Sequence, residues 1–295
     1  MADYIIGIDG GGSKTDFLLC DSRYNEICRR IAPRSNPFDI GIDAVCALIT
    51  ESINAMLTDS GIDRCDIKAA FAGIAGLTSS NHTKTVASLL KELLPNAITD
   101  ASHDGINVLY GAFPDSDGVS IICGTGSSCF VKRGREIFRI GGYGKFDLVG
   151  NGYEIGKACI AHALKTADGR AKAGIMEKLL SEKLKSDNFV ASLDSVLKMS
   201  KDEIATFARV VVSAAEQGDI AAQSILITNM EYIAEMIKCA ERYFENEYSA
   251  ALAGGIFKSD FAKESIKSMI DKRVTLVFSE SAPVFGAAAY AKQLL

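Results

Sequence analysis

An α/β fold of two like halves facing a cleft is what this sequence predicts, and three observations carry it. Short apolar runs of strand length alternate with longer stretches of helical periodicity. The order strand, turn, strand, strand, helix, strand, helix occurs twice along the chain. The opening turns of the two copies are alike, GIDGGGSKTDFLL in the first and IICGTGSSCFVK in the second.

In the first half, Tyr4 to Ile8 is an apolar strand, Asp9 to Thr15 a glycine-rich tip, and Phe17 to Cys20 the returning strand, a hairpin pattern. A third strand fits Ile27 to Ile31, and apolar spacing predicts a helix from Gly41 to Thr58. Lys68 to Ile74 reads as a strand, Thr83 to Leu94 as a helix ended by Pro95, Ala97 to Thr99 as a strand, and Gly105 to Phe113 as a helix stopped at Pro114. The second copy has strands at Val119 to Cys123, Cys129 to Lys132 and Ile137 to Ile140. A helical stretch runs from Tyr153 to about Phe244, strongest and without proline from Ala214 to Glu245. Ala250 to Leu252 leads into Gly254 and Gly255; a helix from Phe261 to Ile270, a strand from Val274 to Phe278 and a closing helix from Val284 to Leu294 follow. The expected domains are residues 1–115, residues 116–283 with a helical insertion at about 153–246, and a closing helix at 284–295 that packs back on the first domain.

Composition agrees. The chain has 295 residues, about twice the ~150 of one domain, and can bury a core without disulfides or a structural metal. Hydrophobic residues are 48% and charged residues 23%, which sets it apart from disordered chains. A net charge of -5 without a basic block argues against a nucleic-acid partner. The start shows no signal peptide, and no apolar run approaches the ~20 residues of a membrane span, so a cytoplasmic protein without a membrane partner is expected. Eight cysteines without a C-x-x-C pair, and three histidines, argue against zinc. Most of the cysteines sit in apolar runs, as small buried hydrophobes do.

Three loops carry chemistry. In Asp9-Gly10-Gly11-Gly12-Ser13-Lys14-Thr15, consecutive glycines let main-chain N–H groups approach an anion, and Ser13, Lys14 and Thr15 add hydroxyls and one positive charge. Asp9, ending a buried strand, suits a hydrated Mg²⁺, which takes one or two carboxylates plus substrate phosphates. The loop matches neither G-x-x-x-x-G-K-[ST] nor G-x-G-x-x-G, and read alone it is equally a tight hairpin. Gly124-Thr125-Gly126-Ser127-Ser128 occupies the same turn of the second copy. Two tips of like chemistry could grip a phosphate chain from both sides. Ala253-Gly254-Gly255-Ile256-Phe257 would let a flat ring lie on main chain, or is simply a strand-to-helix turn.

In this order and spacing the loops resemble the phosphate-1, phosphate-2 and adenosine motifs of the actin/hexokinase/Hsp70 ATPase superfamily. Within it the chain is similar to the BadF/BadG/BcrA/BcrD ATPase family, particularly its N-acetylglucosamine kinase-like members. Ser35-Asn36-Pro37, Ala72-Gly73-Ile74-Ala75-Gly76, Asp104 with Val108-Leu109-Tyr110-Gly111-Ala112, Gly141-Gly142-Tyr143-Gly144 and Pro283-Val284-Phe285-Gly286-Ala287 support the likeness. It implies two ribonuclease-H-like (actin-like ATPase) domains closing on ATP and a sugar. Asp9 would position Mg²⁺. Gly11, Gly12, Ser13, Lys14 and Thr15 would meet the β- and γ-phosphates, and Gly124, Thr125, Gly126 and Ser127 would form the second phosphate loop. Gly254, Gly255 and Phe257 would border the adenosine. Asn36, Ala75, Gly76 and Thr125 would meet the sugar, and Asp104 would take the proton from its hydroxyl.

Phosphoryl transfer is chiefly positioning and charge neutralisation, with an Asp accepting the acceptor's proton. Asp104 begins an apolar helix, so it also reads as an N-cap; Asp100 is the alternative base. One segment departs from the family: where G-D-E-G-S is usual, this chain has Lys145-Phe146-Asp147-Leu148-Val149-Gly150-Asn151. Asp147 is the one candidate there for the second sugar-contacting acid. The same family includes iron–sulfur activators of 2-hydroxyacyl-CoA dehydratases, whose D-I-G-G-Q-D and C-A-A-G-T-G segments are missing here, although Cys123, Cys129 and Cys159 lie near the corresponding region. A sensor that binds sugar or nucleotide without transfer is the third reading. A homodimer is allowed, since closing a cleft does not require one.

Overall fold

The computed structural model describes residues 3–77, 79–143, 147, 150–186, 188–279 and 281–295. It divides into two compact units, Met1–Gly118 with Ser279–Leu295, and Val119–Phe278.

The first unit opens with β1 (Tyr4–Gly10), β2 (Lys14–Asp21) and β3 (Glu26–Pro33). β1 is apolar on both faces, as a central strand must be, whereas β3 alternates and lies at the edge. Then come α1 (Pro37–Ile40), α2 (Ile42–Ser60), β4 (Ile67–Ile74), α3 (Ser80–Leu93), β5 (Ile98–Ser102) and α4 (Gly105–Ala112). The sheet order is β3-β2-β1-β4-β5, the ribonuclease-H-like arrangement. β1 pairs parallel with β4 and β4 with β5, so the carboxyl ends of all three strands meet on one edge. α2 ends at Gly61 in the left-handed region (φ 68°). Its buried residues Val45, Ile49, Ile53 and Met56 join Ile8, Phe17 and Ile74 in one core.

The second unit repeats the order with β6 (Gly118–Cys123), β7 (Ser127–Arg133) and β8 (Glu136–Ile140). Six helices intervene, α5 (Gly152–Ala167), α6 (Ile175–Leu184), α7 (Leu193–Leu197), α8 (Lys201–Ala205), α9 (Ala208–Glu216) and α10 (Ile220–Ala240). β9 (Tyr248–Ala253), α11 (Asp260–Met269) and β10 (Val274–Phe278) complete it. The sheet reads β10-β9-β6-β7-β8, the same order as the first. Its own core gathers Val119, Ile121, Ile155, Phe207, Ile233 and Leu252.

The chain then returns to the first unit as α12 (Pro283–Gln293). This helix lies directly on β1 and α4: a Cβ on Gly7 would fall 2.6 Å from Ala288 N, and one on Gly111 would fall 3.5 Å from Gly286 Cα. Tyr290 packs on Phe71 and edge-on to Tyr110, and its hydroxyl donates to Asp100 Oδ2 at 2.8 Å.

One expectation is corrected. Ala214 to Glu245 is not a single helix. Gly218 turns left-handed (φ 87°) between α9 and α10, and Asp219 caps the second by accepting from Ala222 N. Periodicity continues across the break because both helices bury the same side of the pattern; a glycine followed by a capping acid is the punctuation that marks it.

Candidate phosphate and sugar site

The parallel strands of the first unit deliver three chain segments to one edge. β1 ends in Asp9 and Gly10, β4 runs on into Ala75 and Gly76, and β5 runs on into His103 and Asp104. Ala75 N donates to Gly10 O at 2.7 Å, joining the first two. Asn36 is brought to the same place: its Oδ1 accepts from Phe38 N at 3.0 Å, and a Cβ on Gly76 would fall 2.3 Å from that oxygen. Gly76 has φ 85°, so glycine serves both the backbone and the close approach.

The hairpin tip closes with Gly11 N donating to Lys14 O at 2.9 Å. Ser13 and Lys14 are exposed and Gly11 and Gly12 half-buried. Thr15 differs from expectation. It is fully buried in β2, where Thr15 to Cys20 are covered on both faces, and its hydroxyl donates to Pro33 O at 2.7 Å. Gly11, Gly12, Ser13 and Lys14 therefore form the accessible part of the tip.

Asp9 sits behind this tip. Its Oδ1 accepts from Asn107 Nδ2 at 2.6 Å, and no cationic side chain forms an ion pair with it among the described residues. Burial pushes its carboxyl up to about 7; the Asn107 hydrogen bond opposes this, the charges of Asp104 and Asp16 add to it, and Lys14 opposes it. Asp16, beside it on β2, is already paired with Arg29 through two hydrogen bonds at 2.9 and 2.7 Å. Two more buried polar atoms near this edge have no hydrogen-bond partner among the described residues, Ser35 Oγ next to Gly10 and Asn107 Oδ1 next to Gly73. Unpaired buried groups are costly and gather where function requires them.

Asp104 stands at the N-cap of α4 but makes no side-chain capping bond. Its Oδ1 lies 2.6 Å from His103 Nδ1, and that nitrogen accepts from Gly105 N. Asp100, the alternative base, accepts from Tyr290 Oη and Ala101 N, one on each oxygen.

In the second unit the turn after β6 is built from main chain. Gly124 N donates to Gly126 O at 2.9 Å, and the first turn of α5 holds the loop through Gly152 N to Gly124 O and Tyr153 N to Thr125 O. Gly124 and Gly126 are exposed, Thr125 is half-buried and Ser127 is buried. Gly254 joins this edge, since a Cβ there would strike Cys123 O at 2.0 Å, while Gly255 faces open space. Phe257 is another departure: at 4% exposure it lies in the core beside Phe278, supporting the turn from beneath with no open ring face. Asp147 Oδ2 accepts from Tyr143 N at 3.1 Å. Its neighbours Gly144, Lys145, Phe146, Leu148 and Val149 lie outside the described residues. Asn151 caps α5 by accepting from Glu154 N.

The cysteines near this region are closed in. Cys123 Sγ donates to Gly150 O, and burial pushes the thiols of Cys123 and Cys159 up to about 12 and that of Cys129 higher still. Four of the eight cysteines are buried, fewer than the apolar runs predict; Cys65 is exposed. Among the described residues no helix is long and apolar enough to cross a membrane, and no group of three His, Cys, Asp or Glu side chains is placed to hold a metal.

Comparison with known proteins bears on the family and the fold. An N-acetylmuramic acid/N-acetylglucosamine kinase of Clostridium acetobutylicum is 30% identical over 228 residues, 76% of this chain and 74% of the relative. An N-acetyl-D-glucosamine kinase of Dictyostelium discoideum is 28% identical over 249 residues, 80% of this chain and 78% of the relative. A solved structure from Chromobacterium violaceum, described as a candidate N-acetylglucosamine kinase, has the same fold with a TM-score of 0.77 at 19% identity, with 99% of each chain covered. The family model for BadF/BadG/BcrA/BcrD ATPases matches residues 6–291. With the match running through both repeated sheets and every strand-end loop described above, the chain belongs to the BadF/BadG/BcrA/BcrD ATPase family.

Proposed function

We propose that this protein is an ATP-dependent kinase that transfers the γ-phosphoryl group to a hydroxyl of an amino sugar, N-acetylglucosamine being the first candidate. The observation that carries the reading is the meeting of Asp9, the Gly11–Lys14 tip, Asn36 and Asp104 on one edge of the first sheet. Two relatives named for N-acetylated amino sugars support the substrate class.

The assignment of roles follows the chemistry. Gly12 and Ser13 offer main-chain N–H groups to the terminal phosphates, Gly11 closes the tip on Lys14 O, and Lys14 supplies a positive charge. Within the second unit, Thr125 and Gly126 present main chain suited to phosphate oxygens, and Gly255 leaves main chain open where the family resemblance puts an adenosine. Asn36 uses Oδ1 for its own turn and keeps Nδ2 for a sugar hydroxyl. Asp104 takes that sugar's proton as the oxygen attacks phosphorus, and its buried Oδ1, unused as a helix cap, suits an acceptor. Displacement in line from ADP then completes transfer.

Mg²⁺ fits the donors present. Asp9 is a largely buried carboxylate with an amide partner and no paired cation, the local charge a divalent ion balances. A hydrated Mg²⁺ needs only one or two protein carboxylates when phosphates supply the rest, so a three-residue cage is not required. When bound, the ion neutralises phosphate charge.

The iron–sulfur activator reading asks for cysteines placed as cluster ligands, whereas Cys123 donates to Gly150 O and Cys123, Cys129 and Cys159 are packed in the hydrophobic core of the second unit. An ADP-release assay across a panel of amino sugars, with ATP and Mg²⁺, tests the proposal. Turnover above the sugar-free background is expected with at least one N-acetylated sugar. No turnover with any member, from protein that binds ATP, would overturn the kinase reading in favour of a sensor.

A further inference from the structure

Asn107 belongs to none of the loops that sequence reasoning singles out, yet its buried side chain is hydrogen-bonded to two different strands of the first unit. It is fully buried on α4, three residues after Asp104. Its backbone N–H donates to Asp104 O at 3.0 Å, and its amide spends both hydrogens on other elements, one on Asp9 Oδ1 at 2.6 Å and one on Gly73 O at 3.0 Å. The amide orientation is forced, because the opposite one would set a carbonyl oxygen against the Asp9 carboxylate. It leaves Asn107 Oδ1 unpartnered among the described residues, so the side chain is arranged for what its nitrogen does.

The surroundings are cut to this amide. A Cβ on Gly73 would fall 2.0 Å from Asn107 Oδ1 and 2.6 Å from Nδ2, so only glycine on β4 lets the amide lie flat against the strand. A Cβ on Gly286 of α12 would fall 1.7 Å from Asn107 O, so the helix behind is pressed on the same residue. Gly73 thus fits the side chain and Gly286 the main chain of Asn107.

We propose that Asn107 is a positioning residue that locks the Asp9 carboxylate and the Asp104 base into one rigid frame. Its side-chain amide ties the carboxylate that would hold Mg²⁺ and the end of β4 to α4, the helix that begins at Asp104, while its backbone N–H closes the first turn on Asp104 O. This rests on the kinase reading above. Partners that orient a metal ligand matter for metal affinity and rate, with losses of about 10–100-fold on removal.

The test uses Asn107→Leu, which keeps the shape and removes the amide, and Gly73→Ala, which displaces the amide and leaves both partners intact. Three readouts separate positioning from bulk stability: the Mg²⁺ concentration for half-maximal rate, kcat against the amino-sugar KM, and the rise in unfolding temperature that ADP gives with Mg²⁺ compared with ADP in EDTA. In each variant the expected results are a Mg²⁺ requirement raised about 10-fold or more and kcat lowered about 10–100-fold. The sugar KM should stay within about threefold, and the Mg²⁺-dependent part of the ADP shift should be lost. Should either variant fail to fold, Asn107→Ser takes its place with the same readouts. Folded variants with Mg²⁺ requirement, kcat and ADP shift all near wild type would overturn the proposal, as would a rise in sugar KM that accounts for the whole loss. Wild-type protein that gives the Mg²⁺-dependent ADP shift but phosphorylates no sugar points instead to failure of the kinase reading, and the shift still reports on Asn107.

Discussion

The turns after β1 and β6 occupy the same place in two sheets of the same strand order, and they differ in one residue that matters. Where the first has Asp9 before its glycines, the second has Cys123. The carboxyl is pushed up to about 7 and is touched by an amide; the thiol is closed by a bond to Gly150 O and held neutral at about 12. The helix that follows the fifth strand explains the difference. In the first unit this is α4, which brings Asp104 and Asn107 to the edge, whereas α12, which follows β10, packs on β1 instead. A repeated scaffold thus supplies a glycine turn at the sheet edge twice and a carboxylate there once.

The largest test of that division is Asp104→Asn. Turnover should fall about 10²–10⁴-fold, with ATP and sugar still bound by calorimetry; near-normal turnover would remove Asp104 from the mechanism. Next is the pair Asp9→Ala and Cys123→Ala. The first should lower the Mg²⁺-dependent rate by about 10²-fold or more, and the second should change kcat by no more than about threefold. Equal kinetic damage from both would end the claim that only one turn carries acid chemistry. Reversing the asymmetry is informative too: Cys123→Asp places an uncompensated charge in the second core and should cost about 3–5 kcal/mol in urea unfolding. A stability close to wild type would mean that this turn tolerates an acid as well as the first.

The smallest effect concerns Asp219, a buried carboxylate of the second unit. Burial alone would raise it, but the N–H groups of Ala222, Met176, Ile175 and Ala221 together hold it below the ordinary carboxylate range. Its contribution to stability is therefore present above that range and lost as pH falls through it. Asp219→Ala should cost about 1–2 kcal/mol at neutral pH, and its gap from wild type should narrow below about pH 4. A gap independent of pH would show that the cap does not depend on charge. Asp9 is the opposite case, raised because one amide cannot replace lost water.

Much of this was legible in the residues. The paired turns locate both sheet edges, and the strand runs fall within a few residues of β1 to β10 because central strands are apolar on both faces. What escaped is what folding decides at long range. Asn107 looks like one polar residue in an apolar helix; its meaning appears only when β1 and β4 arrive beside it. Thr15 and Phe257 sit inside motif segments, but their side chains are buried, a matter of packing. Cys123 reads as a core residue, and it is one.

The return of α12 to the first unit has a consequence for how the chain is made. Gly7 and the face of β1 are covered by residues that leave the ribosome only after the whole of the second unit. At about 5–20 residues per second, the nascent first sheet waits roughly 10–35 s with an apolar face unburied, while Val119–Phe278 already has every strand of its own sheet. The second unit is thus free to fold first although it is encoded later, and the sheet bearing Asp9 and Asp104 is the one exposed to chaperones and proteases during synthesis.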